Sequence, residues 1–175
     1  MDKINVYEYS GIICPGAVFI IGLCLIFPEI RHGITDFNLG ELGLFVILSF
    51  CLGHIIQGTA NILEDITGYP KRLSKKRLAK LKINKTYQEI YSKINQKGST
   101  ERINIFNRQY GLMRGLFMNF LLLLTFAAIF GYGFEYYKFY IVGVILAIIC
   151  LYRAHHCSEL YFKELIAEYK NITKH

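Results

Sequence analysis

Four polar residues recur in an apolar run of the sequence that begins at Leu42: His54, Gln57, Asn61 and Asp65. On an α-helix they fall within an arc of roughly 80°, so they form one polar edge on a segment apolar enough to enter a bilayer. Polar groups at membrane depth need either protein partners or water. We therefore expect the edge either to line a pore or gate, or to form a sealed cluster that fixes helix packing.

A second group of polar residues is expected near the cytoplasmic ends of the later apolar runs. It comprises Arg114, Asn119, Arg153, His155 and His156, and Arg114 and Arg153 are expected beside Glu64 and Asp65. Neighbouring histidines point about 100° apart on a helix, so His155 and His156 do not converge on one metal ion. The sequence predicts no metal site and no cofactor. We expect this cytoplasmic cluster to gate the protein or to support its assembly.

Sequence signatures of common enzymes are missing from the chain. It contains no glycine-rich phosphate loop and no nucleophile elbow, and no pair of carboxylates has catalytic spacing. The sequence therefore predicts a protein without a catalytic step and without a small-molecule substrate.

The elements that position these residues are apolar helices. Apolar residues make up 53% of the chain and charged residues only 19%. A membrane-spanning helix needs about 20 mostly apolar residues, and four runs come near this length: 11–28, 41–63, 115–133 and 139–152. The sequence predicts an all-α integral membrane protein built from two transmembrane hairpins.

The first of these runs leaves two alternatives open. Pro15 is expected in its first turn, where a missing N–H costs little, and Pro28 is expected to end it. Because both prolines leave the run short, it is either a full span or a helix that is buried or lies parallel to the membrane.

Positive charge is concentrated between the two hairpins. Residues 71–110 contain twelve basic and two acidic residues, a net charge of +10. The positive-inside rule places this segment and both termini in the cytoplasm. Attraction to anionic lipid headgroups is expected there, with RNA or protein binding as the alternative. The basic surface is predicted to comprise Lys71, Arg72, Lys75, Lys76, Arg77, Lys80 and Lys82.

The chain divides into four segments along its length. They are a first transmembrane hairpin at 1–70, a basic helical segment at 71–110, a second hairpin at 111–152 and an amphipathic helix at 153–175. Apolar residues at helical spacing predict that the third and fourth apolar helices run unbroken into cytoplasmic extensions.

Small residues form a stripe along the fourth apolar run, at Gly143, Ala147, Cys150 and Ala154. Such a stripe lets membrane helices approach closely. It predicts tight packing, either within one protomer or between protomers.

Three sequence stretches carry a resemblance to a known group of proteins: "EYSGIICPGAVF", "LGHIIQGTANILE" and "NRQYGLMRGLFMNF". With the chain length and helix layout, they resemble small bacterial membrane proteins of phage-defence systems, among them the accessory membrane proteins of type VI-B CRISPR loci. The resemblance implies a homo-oligomeric pore in the bacterial inner membrane. It would disturb the membrane potential after a partner RNA-guided nuclease detects phage RNA.

The resemblance also implies a HEPN-like helical bundle. HEPN ribonucleases use an arginine followed about four to six residues later by a histidine that acts as acid or base. Here Arg153 is followed by His155 and His156, and Ser158 stands five residues after it. The departure argues against RNA cleavage. A membrane-anchored ribonuclease using Arg153 and His156 is one alternative, and a scaffold that recruits a defence partner through residues 71–97 is another.

Overall fold

The structure, a computed structural model, describes residues 6–27, 39–69, 71–81, 83, 85–96, 100–130 and 137–173. Every regular element in these residues is an α-helix, which confirms the predicted all-α class. The helices are α1 (Val6–Ile26), α2 (Leu39–Thr67), α3 (Lys71–Lys80), α4 (Tyr87–Gln96), α5 (Glu101–Ile129) and α6 (Tyr137–Thr173).

Among the described residues, three helices are long and apolar enough to cross a membrane. They are Gly40–Thr67 in α2, Glu101–Ile129 and Tyr137–Thr173. The apolar part of α1, Gly11–Ile26, is shorter, so the fourth span stays a prediction. The unbroken courses of α5 and α6 confirm the predicted extensions of the third and fourth apolar helices.

Helix α1 corrects one expectation about its proline. The helix begins at Val6, so Pro15 lies in its interior and the expected place in the first turn was wrong. A helical proline has no N–H to donate to the carbonyl four residues earlier. The carbonyl of Gly11 therefore lacks its usual intrahelical donor.

Helices α1 and α2 approach each other at backbone distance. A Cβ atom on Gly16 would lie 1.8 Å from the carbonyl oxygen of Ser49, and one on Gly53 would lie 1.9 Å from that of Ile12. Only glycine fits at these two positions, because any side chain would push the helices apart. This is the small-residue packing typical of membrane helices.

Helix α5 is the centre of the bundle and packs against α1, α2 and α6. Ala147, Cys150 and Ala154 of α6 are buried, and a Cβ on Gly143 would lie 2.8 Å from Cδ2 of Leu124 on α5. The small-residue stripe of α6 therefore lies inside the protomer. Of the two alternatives that the sequence left open, the structure shows the first.

The end of α2, the start of α5 and the end of α6 lie together with α3 and α4, and we call this the basic end. It has its own apolar core, separate from the one between the long helices. Its buried members are Leu78, Ile90, Ile94, Ile103 and Leu165. The turn from α2 to α3 passes through Gly68, whose φ of 67° suits glycine.

Candidate functional site

Gln57 does not lie with the rest of the predicted polar edge, because its side chain points between helices. Its Nε2 donates to the carbonyl oxygen of Gly11 at 3.1 Å and to that of Gly111 at 3.0 Å. The Gly11 carbonyl is the one that Pro15 deprives of a donor. Gln57 of α2 therefore supplies the hydrogen bond that the backbone of α1 cannot make.

Arg114 extends this contact into a network between α2 and α5. It donates to Oε1 of Gln57 at 2.9 Å and forms an ion pair with Glu64, also at 2.9 Å. The hydroxyl of Tyr110 donates to the same carboxylate, and the guanidinium lies 5.6 Å from the centre of the Tyr110 ring. We call Gln57, Glu64, Tyr110 and Arg114 the inner network. Of the two arginines expected beside Glu64 and Asp65, Arg114 pairs with Glu64.

The other three residues of the predicted edge lie on the outside of α2. His54, Asn61 and Asp65 are exposed, and the His54 ring packs edge-on against Phe50 with centroids 4.5 Å apart. Exposed neighbours continue the same line at intervals of three and four residues, the spacing of a coiled-coil seam. We call this line the outer stripe; its members are Cys51, His54, Gly58, Asn61 and Asp65.

The surface around the outer stripe is apolar. Ile55 is 62% exposed and Ile62 is 60% exposed, and such a face suits hydrocarbon. The structure thus places an exposed polar line within an exposed apolar face. It separates that line from Gln57, which the sequence had grouped with it.

The predicted cytoplasmic cluster is not brought together as one group. Arg114 belongs to the inner network. Asn119 lies fully buried, and its Nδ2 donates to the carbonyl oxygen of Pro15 at 3.1 Å. Both residues therefore hold α5 to the helices of the first hairpin.

The remaining cluster residues lie on α6. His155 shares a hydrogen bond with the hydroxyl of Tyr69, and its Nε2 lies 3.8 Å from Glu159. Burial raises the pKa of Tyr69, which keeps its hydroxyl protonated. Arg153 and His156 are exposed. Among the described residues, no group of three or more His, Cys, Asp or Glu side chains is placed to hold a metal ion.

The predicted basic surface lies on α3, which is fixed against α6. Arg77 pairs with Glu159 and lies 5.7 Å from the centre of the Phe162 ring. Arg77 therefore holds α3 against α6, and its charge is not part of an exposed basic surface. Of the residues in the predicted basic surface, Lys75, Lys76 and Lys80 are exposed. The side chains of Lys71 and Arg72, and the whole of Lys82, lie outside the described part of the chain.

Sequence reasoning missed Gly11, Tyr69 and Tyr110 as site residues. A signal existed for Gly11, because a proline four residues later frees its carbonyl. The two tyrosines carry no such signal, since their partners are distant in the sequence and are brought near only by helix packing.

Comparisons with known protein families, with curated proteins and with solved structures found no match for this chain. The resemblance to membrane proteins of phage-defence systems therefore stays a prediction, as does the HEPN-like bundle. The geometry of α2 and its neighbours carries the argument about function.

Proposed function

We propose that this protein is a homo-oligomeric membrane pore or gated channel in which copies of α2 meet along the outer stripe. The observation that carries the proposal is the exposure of His54 and Asn61 in the part of α2 where the flanking exposed side chains, Ile55 and Ile62, are apolar. In hydrocarbon such side chains are costly, and in known membrane proteins they face water or other protein.

The position of His54 strengthens this argument. Between Leu42 and Leu63, α2 carries no Asp, Glu, Lys or Arg, and His54 lies near the middle of that stretch. A polar ring at this depth cannot reach the headgroups as a residue near a helix end does. Either a second copy or a column of water must satisfy it.

The spacing of the outer stripe favours a second copy of the chain as the neighbour. Positions that alternate by three and four residues stay on one side of a helix that packs along another helix. Gly58, within the stripe, adds a small residue at which two helices can approach closely. Around a wider axis, the same positions would face a water-filled path.

The resemblance extends the proposal to a biological role. It implies that the oligomer sits in the bacterial inner membrane with the basic end and both termini in the cytoplasm. There it would lower the membrane potential in response to an RNA-guided nuclease or its RNA.

The experiment that tests the pore is flux of ions and a small dye from liposomes that contain the purified protein. We expect flux from the wild type and a loss of at least tenfold in the double variant His54→Leu, Asn61→Leu, because an apolar stripe no longer holds water. The matched control is Ile55→Leu, Ile62→Leu, on the same exposed face, which should leave flux unchanged. Equal flux from the polar-stripe variant and the control would contradict the proposal.

A second candidate function is that of a scaffold that recruits a partner to the membrane. It is favoured by α3, which is docked by Arg77 and presents Lys75, Lys76 and Lys80 outward. Reversing these three charges to Glu should abolish partner capture and leave liposome flux unchanged. No flux from correctly inserted oligomers would make the scaffold the better account.

A further inference from the structure

A groove lies between α2 and α6 near the basic end of the bundle. Both helices pack on α5, which forms its floor, and the groove has a volume of about 310 Å³. Most of its wall is apolar and includes Leu63, Met118, Leu151 and Ala154. This volume is at the lower end of those of small-molecule sites, which run from roughly 300 to 1,000 Å³.

The polar part of the groove contains one positive and one negative side chain. Arg114 and Glu64 both line it and are only 19% and 21% exposed. Tyr69 and His155, which share a hydrogen bond, lie at the same end. The groove thus combines an apolar wall with a pair of opposite charges, Arg114 and Glu64, whose sum is zero.

One donor of this pair is unused. Nε of Arg114 is buried and has no hydrogen-bond partner among the described residues. Buried donors on charged groups are usually satisfied, and none of the described residues supplies an acceptor for this one. An anionic oxygen is the acceptor that a guanidinium binds best.

The groove opens on the side of the bundle that faces lipid. Leu151 on its rim is 49% exposed, and Tyr152, beside it at the end of the apolar run of α6, is 71% exposed. The rim therefore lies where hydrocarbon gives way to headgroups, the depth at which tyrosine is typical. The molecules present at that depth are lipids.

We propose that this groove binds one phospholipid whose headgroup is zwitterionic and carries a primary ammonium, the chemistry of phosphatidylethanolamine. The phosphate oxygen accepts from the part of the Arg114 guanidinium that lines the groove, the ammonium donates to Glu64, and one acyl chain lies along Leu63, Met118 and Leu151. The proposal needs only that the protein is in a membrane and does not depend on the pore.

Charge complementarity distinguishes this lipid from the other common ones. An anionic lipid offers no cation to Glu64 and brings a second negative charge beside it. A choline headgroup has the cation but no N–H to donate. Losing a hydrogen bond to a charged group lowers binding by roughly tenfold or more.

Native mass spectrometry of the detergent-solubilised full chain tests the proposal. The protein is mixed in turn with phosphatidylethanolamine, phosphatidylcholine and phosphatidylglycerol of the same acyl chains. We expect one phosphatidylethanolamine per protomer, with each of the other two lipids retained at least tenfold more weakly. Retention of phosphatidylglycerol equal to or above that of phosphatidylethanolamine would overturn the proposal and point to the lysines of α3.

Two variants that each introduce one large indole side chain locate the bound lipid. Leu151→Trp places an indole over the groove, whereas Ile149→Trp, 55% exposed on the same helix, leaves the groove open. We expect Leu151→Trp to lose the bound lipid and Ile149→Trp to keep it. Equal retention by the two variants would overturn the proposal.

Arg114→Lys tests the headgroup contact separately from the acyl-chain contact. It keeps a cation for Glu64 but removes the guanidinium N–H that would bind phosphate. Phosphatidylethanolamine should then bind Arg114→Lys at least tenfold more weakly than it binds the wild type. The control Ile149→Trp should bind it as tightly as the wild type does. Unchanged binding in a folded Arg114→Lys protein would overturn the assignment.

Liposome flux should be the same for Leu151→Trp and Ile149→Trp, so this test and that of the pore fail independently.

Discussion

The inner network and the outer stripe both include residues of α2, yet these residues have different surroundings. Gln57 and Glu64 point between helices and are held by named donors and acceptors of α1 and α5. His54 and Asn61 lie next to them on the exposed part of the helix surface. Gln57 and Glu64 are satisfied within the protomer, whereas His54 and Asn61 make no hydrogen bond to any residue that the structure describes.

This difference teaches that a polar edge on a membrane helix can combine two functions. A glutamine that repairs a proline defect stabilises the single chain, whereas a histidine on the outer face has no such use there. Removing an inner residue should therefore lower the stability of the protomer. Removing an outer residue should lower assembly or flux and leave the protomer stable.

The largest expected effect on stability is that of Arg114→Leu. It leaves the Glu64 carboxylate without its cation, and removing one member of a buried pair is strongly destabilising. Because the pair is partly exposed, we expect a loss of about 3 kcal/mol, at the low end for such pairs. The measurement is the free energy of unfolding in detergent micelles. The control Arg153→Leu, exposed on α6, should change it by less than about 0.5 kcal/mol.

Gln57→Leu should have the next largest effect. The substitution leaves the Gly11 carbonyl without a donor and removes the acceptor for Arg114, and we expect a loss of about 2 kcal/mol in the same unfolding measurement. A loss no larger than that of His54→Leu would show that the inner network is not what holds α1 to α2.

A double-mutant cycle sharpens the role of the proline. In the Pro15→Ala background the backbone N–H of residue 15 can again donate to the Gly11 carbonyl, so Gln57→Leu should cost about 1 kcal/mol less than in the wild type. Additive losses would mean that Gln57 does not act by replacing the bond that Pro15 removes.

The smallest expected effect on stability is that of the outer stripe. His54→Leu and Asn61→Leu should each change the unfolding free energy of the protomer by less than about 0.5 kcal/mol, because neither side chain is buried. Measured in a detergent that keeps the protein monomeric, a loss above about 1 kcal/mol would place these residues in the same class as Gln57.

The sequence predicts the helices well, because apolar runs and helical spacing carry that information directly. It places Arg114 and Arg153 near Glu64 and Asp65 from opposite charges at one membrane boundary, but it does not say which of them pair. It leaves open whether Gln57 faces water or neighbouring helices, and it does not point to the Gly11 carbonyl, since Pro15 was expected in a first turn and its missing N–H seemed to matter little. Nor does it predict the contact of Tyr69 with His155, which depends on how α2 and α6 pack on α5.

The central claim is that the outer stripe faces other copies of the chain, and Cys51 within it offers a direct test. Variants that keep a single cysteine, at Cys51 or at the exposed Cys14 of α1, are treated in native membranes with a short bifunctional maleimide. The account predicts cross-linked dimers with Cys51 and few or none with Cys14. Dimers with Cys14 alone, or with neither cysteine, would contradict it.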